Sequence, residues 1–342
     1  MHITVNGRFM SQRVTGVQRY ARELTCRLTD NFSVVSPRAA TRGVRGHLWE
    51  QSVLPLRLRG GLLWSPCNTG PLSVCKQVVT IHDCGFFDQA RCFSPQFARW
   101  YQWLIPRLAR RARKIITVSE FSRRRLLELT GVDENRVVVI PNGVGRQFVA
   151  VDPERQAEVR RRLRLPSPYV LSVGSLEPRK NLPRLLEAWR QLSAKDRHLS
   201  LVLVGASGQQ FQSIDLTGNM PSVMTAGYVS DEDLPAVYSG AQLFVYPSLY
   251  EGFGLPVLEA MACGTPVVCS QITALAEVVQ DAGLLVDPYD PAAISAGIRR
   301  VVEDESLRAG LRQRGLDRAR EYTWDRAARA TWQVLHAAAE SN

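Results

Sequence analysis

The sequence predicts an α/β protein built from two doubly wound, Rossmann-like parallel sheets that face a cleft. Three observations lead there. Short apolar runs alternate with helical patterns in both halves of the chain, the alternation that builds parallel sheets covered by helices on both faces. At 342 residues the chain is longer than one ordinary core and suits two. The third observation is the stretch Leu243 to Ser270, LFVYPSLYEGFGLPVLEAMACGTPVVCS, which reads as a buried strand, a loop with two glycines, a helix and a second strand.

Charge is spread unevenly along the chain. The net charge is +11, yet residues 1–165 carry 28 basic against 12 acidic side chains, +16, whereas residues 166–342 carry 15 against 20, −5. A basic first half points to an anionic partner, whether nucleic acid, a membrane surface or a phosphorylated lipid. With no base-reading motif and no pattern of stacking aromatics, nucleic acid ranks last. The seven cysteines form no C-x-x-C pair, and several fall in apolar runs, which fits a reducing cytosol. The start MHITVNGRF lacks the features of a signal peptide, and no run approaches ~18 apolar residues, so any membrane contact is expected to be peripheral.

In chain order, His2 to Asn6 alternates as a first strand, Gly7 to Thr15 is loop-like, and Gly16 precedes a helix from Val17 to Leu28. The loop is not G-x-G-x-x-G, so a dinucleotide site is not expected; Gly16 either exposes amides to an anion or serves only the turn. A loosely structured region rich in Arg, Gly and Pro follows, then strands at Leu62–Trp64 and Val78–Ile81. The second of these leads into His82 and Asp83, at the carboxyl end where open α/β sheets place ligand contacts. Phe97 to Lys114, FARWYQWLIPRLARRARK, joins aromatics to five cations from Arg107 onward. It reads either as an interfacial helix on anionic lipid or as a core-packing helix, broken at Pro106, with a solvated basic face. Lys114–Val118, a serine-capped helix over Ser119–Leu129 and the strand Val137–Ile140 complete a first domain, 1–150. Residues 145–166 read as a linker carrying an Arg-rich helix, Glu154–Leu165.

A second domain, 165–321, repeats the alternation: Tyr169–Val173, Leu182–Leu192, Leu199–Val204, Val223–Ala226, Leu234–Ser239 and the stretch from Leu243. Arg179 and Lys180 stand just before a helix at the end of a strand, well placed to neutralise a diphosphate. Gly208, after Gly205, reads as a strand-end turn. Ser230-Asp-Glu-Asp233 contains a literal D-x-D, but Ser230 opening a helix with Asp233 three residues on is a variant capping box. In the organising stretch Gly252 and Gly254 let amides approach an anion, Pro256 opens a helix, and Gly264 closes it in the left-handed region. A carboxylate repels an anion, so Glu251 and Glu259 read as acceptors for sugar hydroxyls on either side of a diphosphate, or else as helix-end and loop acids. Ile272–Val279 and Leu284–Val286 are expected to finish the sheet. Two helices follow, the last over Trp324–Ala339.

Glu251-Gly-Phe-Gly-Leu-Pro-Val-Leu-Glu259 resembles the E-x7-E motif of the GT-B glycosyltransferases of family 4, and VVTIHD, ITVSEFSR, VIPNGV and GSLEPRKN resemble that family too. The resemblance implies a metal-independent, cofactor-free, retaining transferase. It assigns Glu251 to hydroxyls of the donor sugar, Glu259 to the ribose, and Gly252, Phe253, Gly254 and Leu255 to the donor through their amides. Lys180, with Arg179 less firmly, falls to the diphosphate, Tyr228 and Val229 to the base, Gly16 to the phosphates and His82 to the donor sugar. Asp83 supports its loop or touches the acceptor. Ser175 stands where many members carry Arg, a departure left for Arg179 to offset. The resemblance also implies that the first domain binds the acceptor and the second the nucleotide sugar, and that the helix in 322–342 returns to the first domain.

GVQRYARELT and GSLEPRKN look most like bacterial mannosyl- and rhamnosyltransferases of O-antigen or exopolysaccharide synthesis, so the expected donor is GDP-mannose and the acceptor a saccharide or lipid-linked saccharide. A rhamnosyl or glucosyl donor, a nucleotide-sugar 2-epimerase and an inactive sugar-nucleotide-binding module are the rivals. Lys180→Ala and Glu251→Ala are expected to cut turnover by orders of magnitude while leaving the fold intact.

Overall fold

The computed structural model describes residues 2–12, 14–28, 32–38, 43–58, 60–192, 199–205, 220 and 222–340; Gly208 lies outside them. The chain divides into two compact units. Unit 1 is Met1–Asp88, Gln96–Gly143 and Thr323–Asn342, and unit 2 is Gln89–Pro95 with Val144–Tyr322.

Unit 1 holds a six-stranded parallel sheet of β1 (Ile3–Asn6), β2 (Phe32–Val35), β3 (Leu62–Ser65), β4 (Gln77–Thr80), β5 (Lys114–Thr117) and β6 (Val137–Val139), in the order β2-β1-β3-β4-β5-β6. Its helices are α1 (Gly16–Thr25), α2 (Gly43–Leu48), α3 (Leu54–Leu56), α4 (Gly85–Asp88), α5 (Pro95–Arg111) and α6 (Glu120–Thr130). Strands β1, β3 and β4 are buried along their whole length, as parallel strands covered on both faces must be. Ser119 caps α6 by accepting from the Ser122 amide at 3.1 Å, as the sequence predicts, and left-handed Gly131 ends the helix.

Three expectations in this unit need correction. The region taken as loosely structured contains β2 and the helical run α2, a π segment (Trp49–Val53) and α3. Its short apolar pieces and central prolines hide that pattern from a periodicity reading. The α5 helix is also continuous through Pro106. Proline leaves the carbonyl four residues back without its amide partner, but Tyr101, Ile105 and Leu108 are buried in one cluster with Val79, Ile115 and Leu126, Leu104 is buried as well, and that packing holds the helix together. Thirdly, the cations at and just beyond the end of α5 are not merely solvated. Arg110 donates to the Thr130 carbonyl, Arg111 to that of Leu72 and Arg113 to that of Ala338.

Unit 2 holds a second six-stranded parallel sheet of β7 (Tyr169–Val173), β8 (Ser200–Val204), β9 (Val223–Gly227), β10 (Leu243–Tyr246), β11 (Val267–Ser270) and β12 (Leu284–Val286), in the order β12-β11-β10-β7-β8-β9. Its helices are α7 (Pro153–Arg162), α8 (Leu182–Arg190), α9 (Leu234–Ser239), α10 (Leu255–Ala262), α11 (Ala274–Val279), α12 (Pro291–Glu303) and α13 (Glu305–Arg320). The apolar face of α8, Leu182, Leu185, Leu186 and Trp189, packs with Leu201, Val245, Val268 and Ile298. Residues 274–279 therefore form a helix and not a last strand, and three helices, not two, follow β12. The third, α14 (Trp324–Glu340), belongs to unit 1, where Trp324, Ala328 and Leu335 are buried.

Candidate functional site

Each sheet has one point where successive connections leave in opposite directions, and open α/β sheets bind ligands just beyond the carboxyl ends of the strands there. In unit 2 the chain runs from β7 outward through β8 and β9, then returns to place β10 on the other side of β7. Arg179 and Lys180 follow β7, and Glu251 follows β10, so the topology brings together what the sequence separates by about seventy residues.

Lys180 is buried, and its Nζ donates to Glu251 Oε1 at 2.6 Å and to the Tyr246 hydroxyl at 2.5 Å. Tyr246 and Ser248 hydroxyls donate to the same carboxylate oxygen at 2.9 and 2.6 Å. Three donors thus converge on Oε1, while the facing oxygen, Oε2, has Arg179 at 3.4 Å. Burial alone would push the Glu251 carboxyl up, but the charges of Lys180 and Arg179 and these hydrogen bonds hold it down at about 2. Burial and the same carboxylate push the Tyr246 hydroxyl well above its ordinary value. Arg179 also donates to Glu177 at 2.7 Å and to the Tyr250 carbonyl at 2.9 Å, so two cations face two carboxylates. Left-handed Asn181 ties the site's loops together by donating to the carbonyls of Pro247 and Pro288. Beside Lys180 lies a shallow indentation lined by Ser172, Gly174, Ser175 and Tyr246.

The glycine-opened helix stands next in the chain. Gly254 has φ +103° and precedes α10, and a Cβ there would sit 2.5 Å from the Leu275 side chain, so only glycine fits. No side chain caps the α10 start, which leaves backbone amides around Leu255 as donors to an anion. Gly252 and Phe253 are buried behind them. Glu259 is also buried and accepts from the Tyr238 hydroxyl at 3.1 Å. Tyr228 is exposed on the loop after β9, where Gly227 takes φ +68°, and Val229 is buried beside it.

Asp233 of the D-x-D accepts from Arg155 and Arg162 and pairs with Ser230. The helix there starts at Leu234, later than a helix opened by Ser230 would, and residues 231–233 form a turn.

In unit 1, His82 is buried at the end of β4. Its Nε2 lies 2.9 Å from the Pro66 carbonyl, which can only accept, so Nε2 carries the proton and Nδ1 keeps its lone pair. Burial lowers its pKa, against the Pro66 carbonyl and Asp83, which favour the charged form, and Tyr20 meets the ring edge-on at 4.6 Å. Asp83 accepts from the Gly85 amide at 2.8 Å and so supports its own loop. Gly16 is exposed as the first residue of α1.

Sequence reasoning missed Tyr246, Ser248, Glu177 and Asn181. Tyr246 and Ser248 flank the end of a buried strand, a position that could have singled them out; nothing in the local sequence marks Glu177 as wholly buried.

Two doubly wound parallel sheets, one with a buried Lys–Glu pair and a glycine-opened helix at its switch point, define a GT-B glycosyltransferase. Residues 155–318 match the family described as glycosyl transferases group 1 and residues 61–148 the one described as glycosyltransferase family 4, and the chain belongs to this family. It is similar to the O-antigen chain mannosyltransferase B of Escherichia coli, 37% identical over 262 residues that cover 75% of this chain and 69% of that protein. It also resembles the serotype-specific mannosyltransferase WbdA of Escherichia coli, 30% identical over 68% of this chain, although the match spans only 30% of that longer protein. Among solved structures, Anabaena Alr3699/HepE in complex with UDP-glucose superposes with a TM-score of 0.77 at 18% identity, over 98% of this chain and 99% of that one, a likeness of fold.

Proposed function

We propose that the chain moves mannose from GDP-mannose to a saccharide or lipid-linked saccharide acceptor, with retention at the anomeric carbon, in bacterial surface polysaccharide synthesis. The observation that carries this reading is the Lys180–Glu251 pair at the unit 2 switch point, in a chain 37% identical to an O-antigen mannosyltransferase.

As the sugar leaves, negative charge grows on the nucleotide diphosphate, and stabilising it is the main task of the protein. In this reading Lys180 turns from Glu251 toward the phosphates, Arg179 supports it, and the amides of Gly252 to Leu255 with the α10 start complete the set. Glu251 uses Oε2 to accept from sugar hydroxyls, while Glu259, braced by Tyr238, accepts from the ribose. Tyr228 and Val229 border the base, and Gly16 faces the phosphates. The Nδ1 lone pair of His82 accepts from a hydroxyl of the donor sugar, and the loop held by Asp83 borders the acceptor. The acceptor hydroxyl attacks on the face the diphosphate leaves, and a diphosphate oxygen takes its proton. No protein nucleophile and no metal enter the scheme, in keeping with a D-x-D whose Asp233 is taken up by two arginines.

The chain is proposed to work in the cytoplasm, peripherally on an anionic membrane. No helix among the described residues is long and apolar enough to cross one. Trp103 is 43% exposed on α5 with Arg107 stacked over it at 4.6 Å, beside exposed Arg99, Arg110 and Arg111, the composition of an interfacial surface.

The test is incubation with GDP-, UDP- and dTDP-sugars, with and without a lipid-linked saccharide, and with chelator present. An α-linked mannosyl product from GDP-mannose that needs acceptor and survives chelator is expected. Conversion of the donor without acceptor, or a β-linked product, contradicts the proposal.

A further inference from the structure

For Lys180 to hold a diphosphate, its pair with Glu251 has to open, and opening strands a buried carboxylate. Two carboxylates, Glu177 and Glu251, already balance Arg179 and Lys180, so the closed site has no cation to spare for an anion. Something has to let the lysine go.

Tyr246 has the contacts for that. It ends β10, is 2% exposed, and its ring is stacked on Phe244 at 5.6 Å, which fixes where the hydroxyl lies. A carboxylate only accepts and an ammonium only donates. The hydroxyl, 2.9 Å from Glu251 Oε1 and 2.5 Å from Lys180 Nζ, therefore donates to the first and accepts from the second. Burial and the neighbouring carboxylate push it well above its ordinary value, so it keeps that proton. Ser248 also donates to Oε1, but of the two hydroxyls only that of Tyr246 touches both charges of the pair. Nζ lies 5.0 Å from the Tyr246 ring centroid as well, within cation–π range. The indentation beside Lys180 is bounded by Gly174, Ser175 and Tyr246, and a Cβ at Gly174 would sit 3.4 Å from Lys180 Cε, so glycine leaves the lysine stem room to turn.

The hydroxyl is worth more in one state than in the other. With the pair closed, Oε1 deprived of Tyr246 would still accept from Lys180 and Ser248; with Lys180 turned to a phosphate, it would accept from Ser248 alone. An interaction that counts for more in the bound state raises affinity for what is bound.

We propose that Tyr246 is the positioning residue that lets the Lys180–Glu251 pair open. Its O–H keeps Oε1 hydrogen-bonded, while its oxygen and ring guide Nζ toward the diphosphate. This rests on the diphosphate lying at the β7/β10 switch point and adds how a charge-balanced site becomes available to an anion.

GDP is titrated calorimetrically into wild type, Tyr246→Phe, Lys180→Met and the double variant, at a temperature where melts show all four folded. Tyr246→Phe is expected to bind GDP at least tenfold more weakly and Lys180→Met more weakly still. The double variant should match Lys180→Met, because the hydroxyl acts through the lysine. A hydroxyl that only fills the core would lower the melting midpoint and leave GDP affinity alone. The chain has four lysines, so with lysine side-chain nitrogens labelled Lys180 gives one signal of four. GDP should shift that signal in wild type, a readout that needs no substitution, and shift it less in Tyr246→Phe. The proposal is overturned if Tyr246→Phe binds GDP like wild type, if the losses of the two single variants add in the double, or if GDP binds wild type without moving the Lys180 signal. Wild type that binds no GDP would overturn the donor reading, and this proposal with it.

Discussion

A buried lysine is stable only while its charge is met, and Lys180 is met by Glu251. Removing either partner strands the other, at a cost of about 3–5 kcal/mol. The expectation that Lys180→Ala leaves the fold intact is therefore revised: Lys180→Met should lower turnover at least ~100-fold and also lower the unfolding midpoint, and the Lys180→Met/Glu251→Gln pair should recover stability but not activity. Paired thermal melts and initial rates check this; a Lys180→Met protein as stable as wild type would deny the pair its structural role. The carboxyl of Glu251 is depressed in the folded state from 4.5 to about 2. Its contribution, on the order of 3 kcal/mol, is fully present above pH ~4.5 and is lost as pH falls toward 2. Urea titrations between pH 5 and 2.5 should show wild type losing more stability over that window than Glu251→Gln.

Among elements, α10 and its loop were the most legible. Glycine, proline and carboxylate spacing each state a local backbone need, and Gly254 at φ +103° meets the strictest of them. Gly254→Ala should cost about 1–3 kcal/mol in backbone strain and, by displacing Leu275 or the helix start, reduce GDP affinity more than it reduces melting temperature. Equal affinity in a calorimetric titration would deny the loop its anion role. The helical run holding Glu50 was illegible for the opposite reason: its partners Asn6, Arg8 and Thr69 come from distant parts of the chain, and no period within 43–56 announces them. The α5 helix was misjudged at Pro106 because propensity is local and packing is not. Pro106→Ala restores an amide to the helix interior and should stabilise the chain by about 1–2 kcal/mol, read as a higher denaturant midpoint at unchanged slope.

At the scale of the molecule, a +16 first segment and a −5 remainder divide anionic partners between regions. The acidic part nonetheless holds the site proposed for a diphosphate, because Lys180, Arg179 and backbone amides act at contact range whereas surface charge is screened beyond ~8–10 Å. The basic part should draw the chain to anionic vesicles, and charge reversal at Arg110 and Arg111 should weaken that binding several-fold and flatten its salt dependence; sedimentation that is indifferent to lipid charge would remove the membrane contact. Two parallel sheets were readable, β2 excepted, because parallel strands buried on both faces are nearly pure apolar runs, whereas the strand order and pairings such as Tyr246 with Glu251 and Tyr238 with Glu259 exist only once those sheets are assembled. The most direct measurement is calorimetric titration of GDP into wild type and Lys180→Met under conditions where both are folded. Micromolar-range binding that weakens at least ~100-fold, about 2.7 kcal/mol, in Lys180→Met is the predicted result; equal affinity in the two proteins, or no nucleotide diphosphate bound by either, would contradict a donor site at the β7/β10 switch point.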